Sequence, residues 1–372
     1  VKSIQSSHFM PAIFISIFLL YILGNVYIFI RGRQAIRKHP KSVRVLVFSI
    51  FIICALSFLL SFGLNNIIAP LRLARLFEEV GKSWLLVTLY MTLFLALMDF
   101  LRLIKIRVPF AFYSSLFLTL GLLFYGYYHY DNPNTKELHI TINKPFQTQG
   151  RPIKVVGISD IHLGYETNKE RLANYVERIN ALKPDLILIA GDLIDHSLTP
   201  VKAQRMQDEL SRLKAPLGIL MAPGNHDYFS NIEEVEQFLT LTPITLLRDS
   251  VVTLENGIQV IGRDDRRQRD RESLDKLVRQ TDPSKPILLI DHQPYDLEQT
   301  VDAGIDLQFS GHTHHGQVWP LTYLTDYLFE LSYGYEKREN THLYVSSGLS
   351  LWGPPYRIGT DSEIVVFYLD NK

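Results

Sequence analysis

The chain has 372 residues, of which 47% are hydrophobic and 20% are charged, and its formal net charge is zero. This length predicts two or three domains, and the high apolar content excludes a disordered or fibrous protein. The zero charge conceals a division, because residues 1–130 carry a net charge of +10 and residues 131–372 a net charge of −10. The single cysteine, Cys54, excludes an intrachain disulfide as well as zinc-finger or iron–sulfur chemistry. We therefore expect two physically different parts that join near residue 130.

The first 130 residues have the composition of a membrane anchor. About 20 apolar residues are needed to cross the hydrocarbon core of a bilayer, and four stretches reach this length: 9–30, 45–64, 84–104 and 108–128. The first stretch is too long for a signal peptide and is followed by basic residues, so we expect it to be retained. Between the second and third stretches, residues 65–83 contain LRLARLF, which predicts a short amphipathic helix at the interface.

The distribution of basic residues predicts an orientation for four spans. The loop between spans one and two and the link between spans three and four together carry nine Lys and Arg, and the opposite side carries four. The positive-inside rule then places both termini outside the cytoplasm. This predicts a multi-pass protein of the cytoplasmic membrane whose second half is extracytoplasmic or periplasmic.

Asp99 is the one acidic residue inside a predicted span. Charges within spans commonly mark transport pathways, but Asp99 is near the cytoplasmic end, within reach of Arg102. We expect an interfacial salt bridge here and interpret the spans as an anchor, with or without a role in holding a lipid substrate.

The second half alternates between predicted strands and helices. A polar linker over residues 131–151 is expected to lead into an α/β domain over residues 152–372. Continuous apolar runs separated by amphipathic segments are typical of buried strands in layered α/β domains. The predicted helices are 167–182, 199–213 and 231–239, and the predicted strands are 152–159, 185–190, 217–223, 258–262, 286–290, 307–309, 344–348 and 363–369.

Five polar segments follow predicted strands of this domain. A single Asp or His after a strand is usually a helix cap or a surface group. Five such segments together are different, because open α/β sheets place their functional sites at the carboxyl ends of the strands. The segments are SDIHLG (159–164), GDLID (191–195), GNHD (224–227), DHQP (291–294) and GHTHHGQ (311–317).

These segments resemble the pattern of the calcineurin-like metallophosphoesterase family, which is D-x-H, G-D, G-N-H-D/E, H and G-H-x-H in this order. The resemblance covers residues 152–370. It extends to GPPYRIG-TDSEI (353–364), which is similar to the tail of membrane-associated bacterial members. It implies that the four-helix transmembrane region is followed by a β-sandwich flanked by helices.

The resemblance also implies a site for two divalent metal ions. Asp192 would bridge the ions, as two-metal sites require a shared ligand. Imidazole and carboxylate ligands suit Mn, Fe, Zn or Co better than Mg or Ca, and we favour Mn. The first ion would take Asp160, His162, Asp192 and His314, and the second would take Asp192, Asn225, His292 and His312.

Catalysis in such a site would use a water or hydroxide that the metals make acidic enough to attack phosphorus. By the same resemblance, His226 would protonate the leaving group. Asp227 would orient His226, as a carboxylate commonly holds a catalytic imidazole.

Four further features have two interpretations each. Asp195 either positions a metal-binding histidine or caps a helix, and the sequence does not favour one of these. For His315 we favour packing over phosphate contact, and for Arg357 a structural salt bridge over phosphate binding. The run RDDRRQRDRE (263–272) is expected to be a solvated loop rather than a phosphate-recognition patch.

Residues 318–335 place several aromatic side chains directly after the GHTHHGQ segment. They are either ordinary cover for the core or an interfacial lid that admits a lipid headgroup, since Trp and Tyr favour membrane interfaces. The aromatic residues are Trp319, Tyr323, Tyr327, Phe329, Tyr333 and Tyr335.

The combined features predict a membrane-tethered phosphoesterase that hydrolyses a phosphate ester or pyrophosphate of a lipid or lipid-linked compound. The first alternative is an ectophosphatase or phosphodiesterase acting on soluble nucleotides or organophosphates. The second is a non-catalytic membrane scaffold. Nucleic acid is not expected as a substrate, because residues 131–372 carry a net charge of −10 and phosphate backbones favour basic surfaces.

Overall fold

The computed structural model describes residues 9–64, 71–148 and 150–371. The chain divides into two compact units. One consists of Val1–Tyr128 and Gly353–Tyr356, and the other of His129–Trp352 and Arg357–Lys372.

The first unit is helical. Its helices are α1 (Phe9–Ala35), α2 (Lys41–Leu64), α3 (Leu71–Leu103) and α4 (Ala111–Asp131). Among the residues described, three helical segments are long and apolar enough to cross a membrane: Ile15–Ala35, Lys41–Leu60 and Leu76–Leu103. Helix α4 forms where the fourth span was predicted, but its C-terminal half is rich in tyrosine and it does not qualify. The expectation of four spans is therefore not confirmed.

Two details of the predicted anchor were wrong. The LRLARLF sequence begins the continuous helix α3 at Leu71 rather than forming a separate interfacial helix, and residues 65–70 lie outside the described part. The partner of Asp99 is Arg31 of α1, with Arg31 Nη2 2.9 Å from Asp99 Oδ1. Arg102 was expected because it is near in sequence, whereas the salt bridge joins two helices.

Small and polar residues bring the helices of this unit together. A Cβ on Gly81 of α3 would lie 2.6 Å from the backbone of Phe58 in α2, so the two helices are in close contact here. Between α1 and α3, Asn25 Nδ2 donates to Thr88 Oγ1 at 3.2 Å, and Trp84 Nε1 donates to Asn25 Oδ1 at 2.9 Å. Such contacts are typical of helix packing in membranes.

The second unit contains two six-stranded, mostly parallel sheets. The first has the order β1-β12-β2-β3-β4-β5 and the second β10-β11-β9-β8-β7-β6. Their strands are β1 (Asn134–Ile142), β2 (Ile153–Ile158), β3 (Leu186–Ala190), β4 (Ile219–Ala222), β5 (Ile244–Leu246), β6 (Ser250–Thr253), β7 (Gln259–Gly262), β8 (Ile287–Ile290), β9 (Leu307–Ser310), β10 (Gly334–Arg338), β11 (Thr341–Val345) and β12 (Glu363–Asn371).

Helices cover the outer faces of both sheets, which gives four layers. One apolar cluster lies between the sheets and includes Leu188, Phe309 and Phe367. A second lies between the first sheet and its helices, and a third lies between the second sheet and its helices. The helices are α5 (Lys169–Ala181), α6 (Leu198–Ala203), α7 (Gln207–Leu210), α8 (Asn225–Phe229), α9 (Ile232–Leu239), α10 (Leu274–Val278), α11 (Leu297–Asp302) and α12 (Thr322–Leu328).

The segment 131–151, expected to be a linker, contains an edge strand instead. Strand β1 pairs with β12 in parallel, from Asn134 opposite Glu363 to Ile142 opposite Asn371. Its sequence NTKELHITI is largely exposed, with Ile140 and Ile142 buried. A strand that buries so little apolar surface has a weak sequence signal, since edge strands keep one side open to solvent.

Candidate metal centre

The five polar segments meet at the carboxyl ends of the parallel strands. Asp160, His162, Asp192, His312 and His314 all have positive φ angles, between 48° and 74°. Non-glycine residues rarely adopt this conformation and commonly do so at functional sites. The strained loops turn these side chains toward one another.

The first cluster consists of Asp160, His162 and His314. Nε2 of His162 lies 3.3 Å from Nε2 of His314, and His314 Nε2 lies 3.4 Å from Asp160 Oδ1. Asp160 is fully buried, and its carboxylate accepts from the backbone N–H of His312 at 3.1 Å. Two imidazole nitrogens and a carboxylate oxygen thus converge on one point.

The second cluster consists of Asp192, Asn225, His292 and His312. His292 Nε2 is 3.2 Å from Asp192 Oδ2 and 3.2 Å from Asn225 Oδ1. One ligand atom from each of Asp192, His292 and His312 lies within 4.8 Å of the others. Asp192 Oδ2 is also 3.9 Å from His162 Nε2, so Asp192 lies between the two clusters, where a bridging ligand is required.

Close backbone packing holds Asp192 in this place. Gly191 has φ +68°, which favours glycine, and a Cβ on it would lie 2.6 Å from Gly224 N. A Cβ on Gly224 would lie 2.2 Å from Asp192 Oδ1. The two glycines of GDLID and GNHD therefore let the loops after β3 and β4 touch.

Groups behind the clusters orient the imidazoles. His292 Nδ1 donates to the carbonyl oxygen of Ala190 at 2.7 Å, and His162 Nδ1 lies 3.5 Å from Asp195 Oδ1. The side chain that caps α6 belongs to Ser197. Of the two interpretations of Asp195, the geometry therefore favours the positioning role.

His226 and Asp227 do not form the pair that was predicted. His226 Nδ1 donates to the backbone carbonyl oxygen of Asp195 at 2.8 Å. The carboxylate of Asp227 accepts from the backbone N–H groups of Gly224 at 2.9 Å and Ile194 at 3.0 Å. Asp227 thus holds two loops together, and the backbone of Asp195 orients the His226 imidazole.

The pKa shifts within the clusters differ from residue to residue. Burial raises the pKa of Asp160, and nearby carboxylates outweigh burial to raise the pKa of His162 and His292. Burial lowers the pKa of His312 to about 3 and that of His314 well below its usual value, so both imidazoles are neutral. Burial works to raise the pKa of Asp192, but His292 outweighs it and the pKa is lowered. Imidazole and carboxylate groups together are the donor set that divalent transition metals prefer. The residues present therefore fit two metal ions.

Two residues with open interpretations prove to be structural. His315 stacks on Tyr333 with ring centroids 4.5 Å apart. Arg357 is fully buried and donates to the carbonyl oxygens of His314 and Ser350 at 2.8 and 2.7 Å. Its contacts are hydrogen bonds to backbone rather than the expected salt bridge.

The prediction of a solvated loop over residues 263–272 holds only in part. Arg266, Arg267, Arg269 and Asp270 are exposed, but two of its acidic residues are not. Asp264 and Asp265 are only 4% and 2% exposed. Asp265 Oδ2 accepts from Gln293 Nε2 at 2.7 Å, beside His292. Mixed charge is typical of a surface loop, but here the opposite charges pair with residues of distant segments.

Two residues beside His226 were missed by the sequence analysis. His196 stacks on His226 at a centroid distance of 5.2 Å, and Trp352 lies 6.0 Å from the same ring. The only sequence signal for His196 was its place directly after GDLID. Trp352 had none, because it is more than 100 residues from His226 along the chain.

Comparison with known proteins agrees with this site. A profile of the calcineurin-like phosphoesterase family matches residues 153–316. An uncharacterized metallophosphoesterase of Helicobacter pylori (strain J99) is 34% identical over 268 residues, which cover 70% of each chain. A transmembrane protein with metallophosphoesterase domain from Danio rerio is 31% identical over 67% of this chain and 60% of its own. An uncharacterized metallophosphoesterase of Bacillus subtilis is 33% identical over 66% of this chain and 90% of its own.

The chain therefore belongs to the calcineurin-like metallophosphoesterase family, which confirms the resemblance. It is a metal-dependent hydrolase of phosphate esters, and it carries apolar N-terminal helices that are long enough to cross a membrane.

Proposed function

We propose that this protein is a membrane-tethered, two-metal phosphoesterase that cleaves a phosphate ester or pyrophosphate of a lipid or lipid-linked compound. The observation that carries the proposal is an exposed aromatic surface on the segment 318–335. Trp319, Tyr323 and Tyr327 are 45%, 68% and 66% exposed, although large aromatic side chains normally bury most of their surface.

This aromatic surface adjoins the metal centre. Phe329, at the end of α12, lies 5.8 Å from the ring of His312. A lipid substrate has an apolar tail beside its phosphate, and Trp and Tyr favour the interface where such tails begin. The segment thus suits an interfacial lid, and tethering raises the local concentration of an amphiphilic substrate.

The two clusters would hold the metals. Asp160, His162, Asp192 and His314 would bind the first ion, and Asp192, Asn225, His292 and His312 the second; we favour Mn²⁺. When bound, the metals supply an acidified water and neutralise charge on the phosphoryl oxygens.

His226 would protonate the leaving oxygen. Its Nδ1 is committed to Asp195, which leaves Nε2 for the substrate. Burial lowers the pKa of His226 to about 4, so the free imidazole is neutral. A phosphate dianion beside the ring favours its protonated form, as a general acid requires.

The test is phosphate and headgroup release by the full chain in mixed micelles with Mn²⁺. The panel consists of phospholipids, lipid pyrophosphates and soluble nucleotides, with Asp192→Asn as the inactive control. We expect turnover of lipid substrates that is lost in the control. Turnover of nucleotides alone would overturn the lipid assignment and favour an ectophosphatase.

A further inference from the structure

A small cavity outside the two metal-ligand clusters is lined mainly by arginine. It has a volume of about 150 Å³ and lies between the loop 263–272 and the start of α11. Its lining residues are Arg263, Arg266, Gln268, Arg271 and Asp296.

Ion pairs engage each of the three arginines that line the cavity. Arg263 Nη1 lies 3.1 Å from Asp291 Oδ2, and Arg271 pairs with the same oxygen. Arg266 donates to Asp296 Oδ2 at 2.9 Å. Three guanidinium groups therefore pair with two carboxylates, and Asp249 is a further acidic neighbour of Arg263.

The arginines also retain unused hydrogen-bond donors. The Nε atoms of Arg263 and Arg271 are buried and have no hydrogen-bond partner within the described parts of the chain. Each guanidinium has five N–H donors in a planar fork that matches the oxygens of phosphate. Buried unpaired donors are costly, which means that the protein alone does not fully satisfy these guanidinium groups.

The loop that presents these arginines is rigidly held. Asp249 accepts from the backbone N–H of Asp264 at 2.9 Å and of Glu272 at 2.8 Å, which closes the loop at both ends. Asp265 accepts from the N–H of Arg267 at 2.9 Å. A preformed loop loses little conformational entropy when a ligand binds.

The same loop reaches the metal centre from two sides. Asp291, which pairs with two of the arginines, directly precedes His292 of the second cluster. On the other side, the Arg267 guanidinium lies 3.9 Å from the centroid of the Phe229 ring, which is 5.2 Å from the His226 ring. The loop that forms the cavity is therefore connected to the segments that carry His292 and His226.

We propose that this cavity is a second anion site that binds one phosphate group. Charge-assisted, bidentate hydrogen bonds from arginine are the usual way in which proteins hold phosphate. The group comes either from the substrate, as a phosphate that is not cleaved, or from free inorganic phosphate. Binding of phosphate at this site does not depend on the lipid assignment.

The first experiment titrates inorganic phosphate into the metal-loaded full chain and measures binding by calorimetry. We expect a component of binding that weakens at least about tenfold in Arg266→Gln, because one charge-assisted contact is lost. Arg266→Lys, which keeps the charge but not the fork, should weaken it less. The matched control is Arg269→Gln, an exposed arginine of the same loop that does not line the cavity, and it should bind as the parent does.

Equal phosphate binding by Arg266→Gln and Arg269→Gln would overturn the proposal. Thermal unfolding of both variants checks that they fold. Arg266 and its partner Asp296 are both partly exposed, so we expect midpoints close to that of the parent.

The second experiment separates the two sources of phosphate. It compares the KM for farnesyl pyrophosphate with the KM for farnesyl monophosphate in the same variants. If the site binds a substrate phosphate, Arg266→Gln raises the KM for farnesyl pyrophosphate by a factor at least ten times larger than the factor for farnesyl monophosphate. If both change alike while phosphate binding is lost, the site takes free phosphate. Turnover of neither compound would count against the lipid phosphoesterase assignment, whereas the calorimetric result would still decide whether the anion site exists.

Discussion

The orientation of His226 rests on backbone, which differs from the usual carboxylate–imidazole pair. Asp195 is near two histidines: its carbonyl oxygen accepts a hydrogen bond from His226 Nδ1, and its carboxylate lies 3.5 Å from His162 Nδ1. A carbonyl oxygen can only accept a hydrogen bond, so this contact fixes the His226 tautomer that carries its hydrogen on Nδ1. Asp195 therefore lies between the proposed general acid and a proposed metal ligand.

Replacing His226 by Gln should lower kcat by about 10²–10⁴, the usual contribution of a general acid. The metal content should stay that of the parent, because His226 belongs to neither ligand cluster that we assign. Activity assays and elemental analysis of the purified variant measure the two effects. The control is Asp192→Asn, which should lose both activity and metal. Equal loss of metal in His226→Gln would show that His226 is a ligand.

Replacing Asp227 by Asn should act mainly on stability. The carboxylate accepts two hydrogen bonds from backbone N–H groups, and the NH₂ of an asparagine amide could not accept one of them. The buried N–H left without an acceptor would cost about 1–3 kcal/mol. We expect a lower thermal unfolding midpoint, measured with and without Mn²⁺. A variant that unfolds as the parent does but has lost catalysis would instead restore the predicted orienting role of Asp227.

The loops at strand ends are the elements that assemble the metal centre. The loops after β2, β3, β8 and β9 carry most of the candidate ligands, and several of these residues have positive φ. Parallel strands bring such loops to one edge, and the contact between Gly191 and Gly224 lets the loops after β3 and β4 approach within van der Waals distance.

Replacing Gly224 by Ala should displace Asp192, because the added Cβ would lie 2.2 Å from Oδ1 and 2.5 Å from the backbone N of Asp192. We expect at least a tenfold loss of Mn²⁺ affinity, in the range seen when groups supporting a ligand are lost, measured by metal titration. Gly164→Ala is the matched control in the neighbouring loop, where the nearest atom would be 3.6 Å away. Comparable metal affinity in both variants would contradict this account.

At the scale of the whole molecule, the side of the membrane on which the catalytic domain lies depends on α4. Three helical segments qualify as spans among the described residues. Helix α4 has 21 residues and no charged side chain before its final Asp131, and its C-terminal tyrosines are typical of an interface. We propose that α4 is the fourth crossing, which with the positive-inside rule places the domain outside the cytoplasm.

Cysteine labelling in intact cells tests this topology. In a Cys54→Ser background, Asn340→Cys in the exposed turn between β10 and β11 should react with a membrane-impermeant maleimide. Lys38→Cys, between α1 and α2, should be protected until the cells are lysed. If Asn340→Cys reacted only after lysis, while Lys38→Cys was still protected in intact cells, α4 would not cross the membrane and the domain would be cytoplasmic.

Features that depend on local pattern could be predicted from the amino-acid sequence. Apolar runs of sufficient length identified the helices of the first unit, and buried runs identified most strands of both sheets. The spacing of Asp160, His162 and the later histidines at strand ends was enough to identify the family, because each motif is short and follows its strand directly.

Features that depend on contacts between distant segments could not be predicted in this way and are visible only in the folded chain. Strand β1 exists as a strand because β12, more than 200 residues later, pairs with it. Asp99 forms its ion pair with Arg31 and not with Arg102, which is nearer in sequence, because α1 packs against α3. The mixed charges of the loop 263–272 predict a solvated segment. In the structure, Asp291 pairs with Arg263 and Gln293 donates a hydrogen bond to Asp265. In each case the stabilising partner lies outside the local window of sequence, so periodicity and composition carry no information about it.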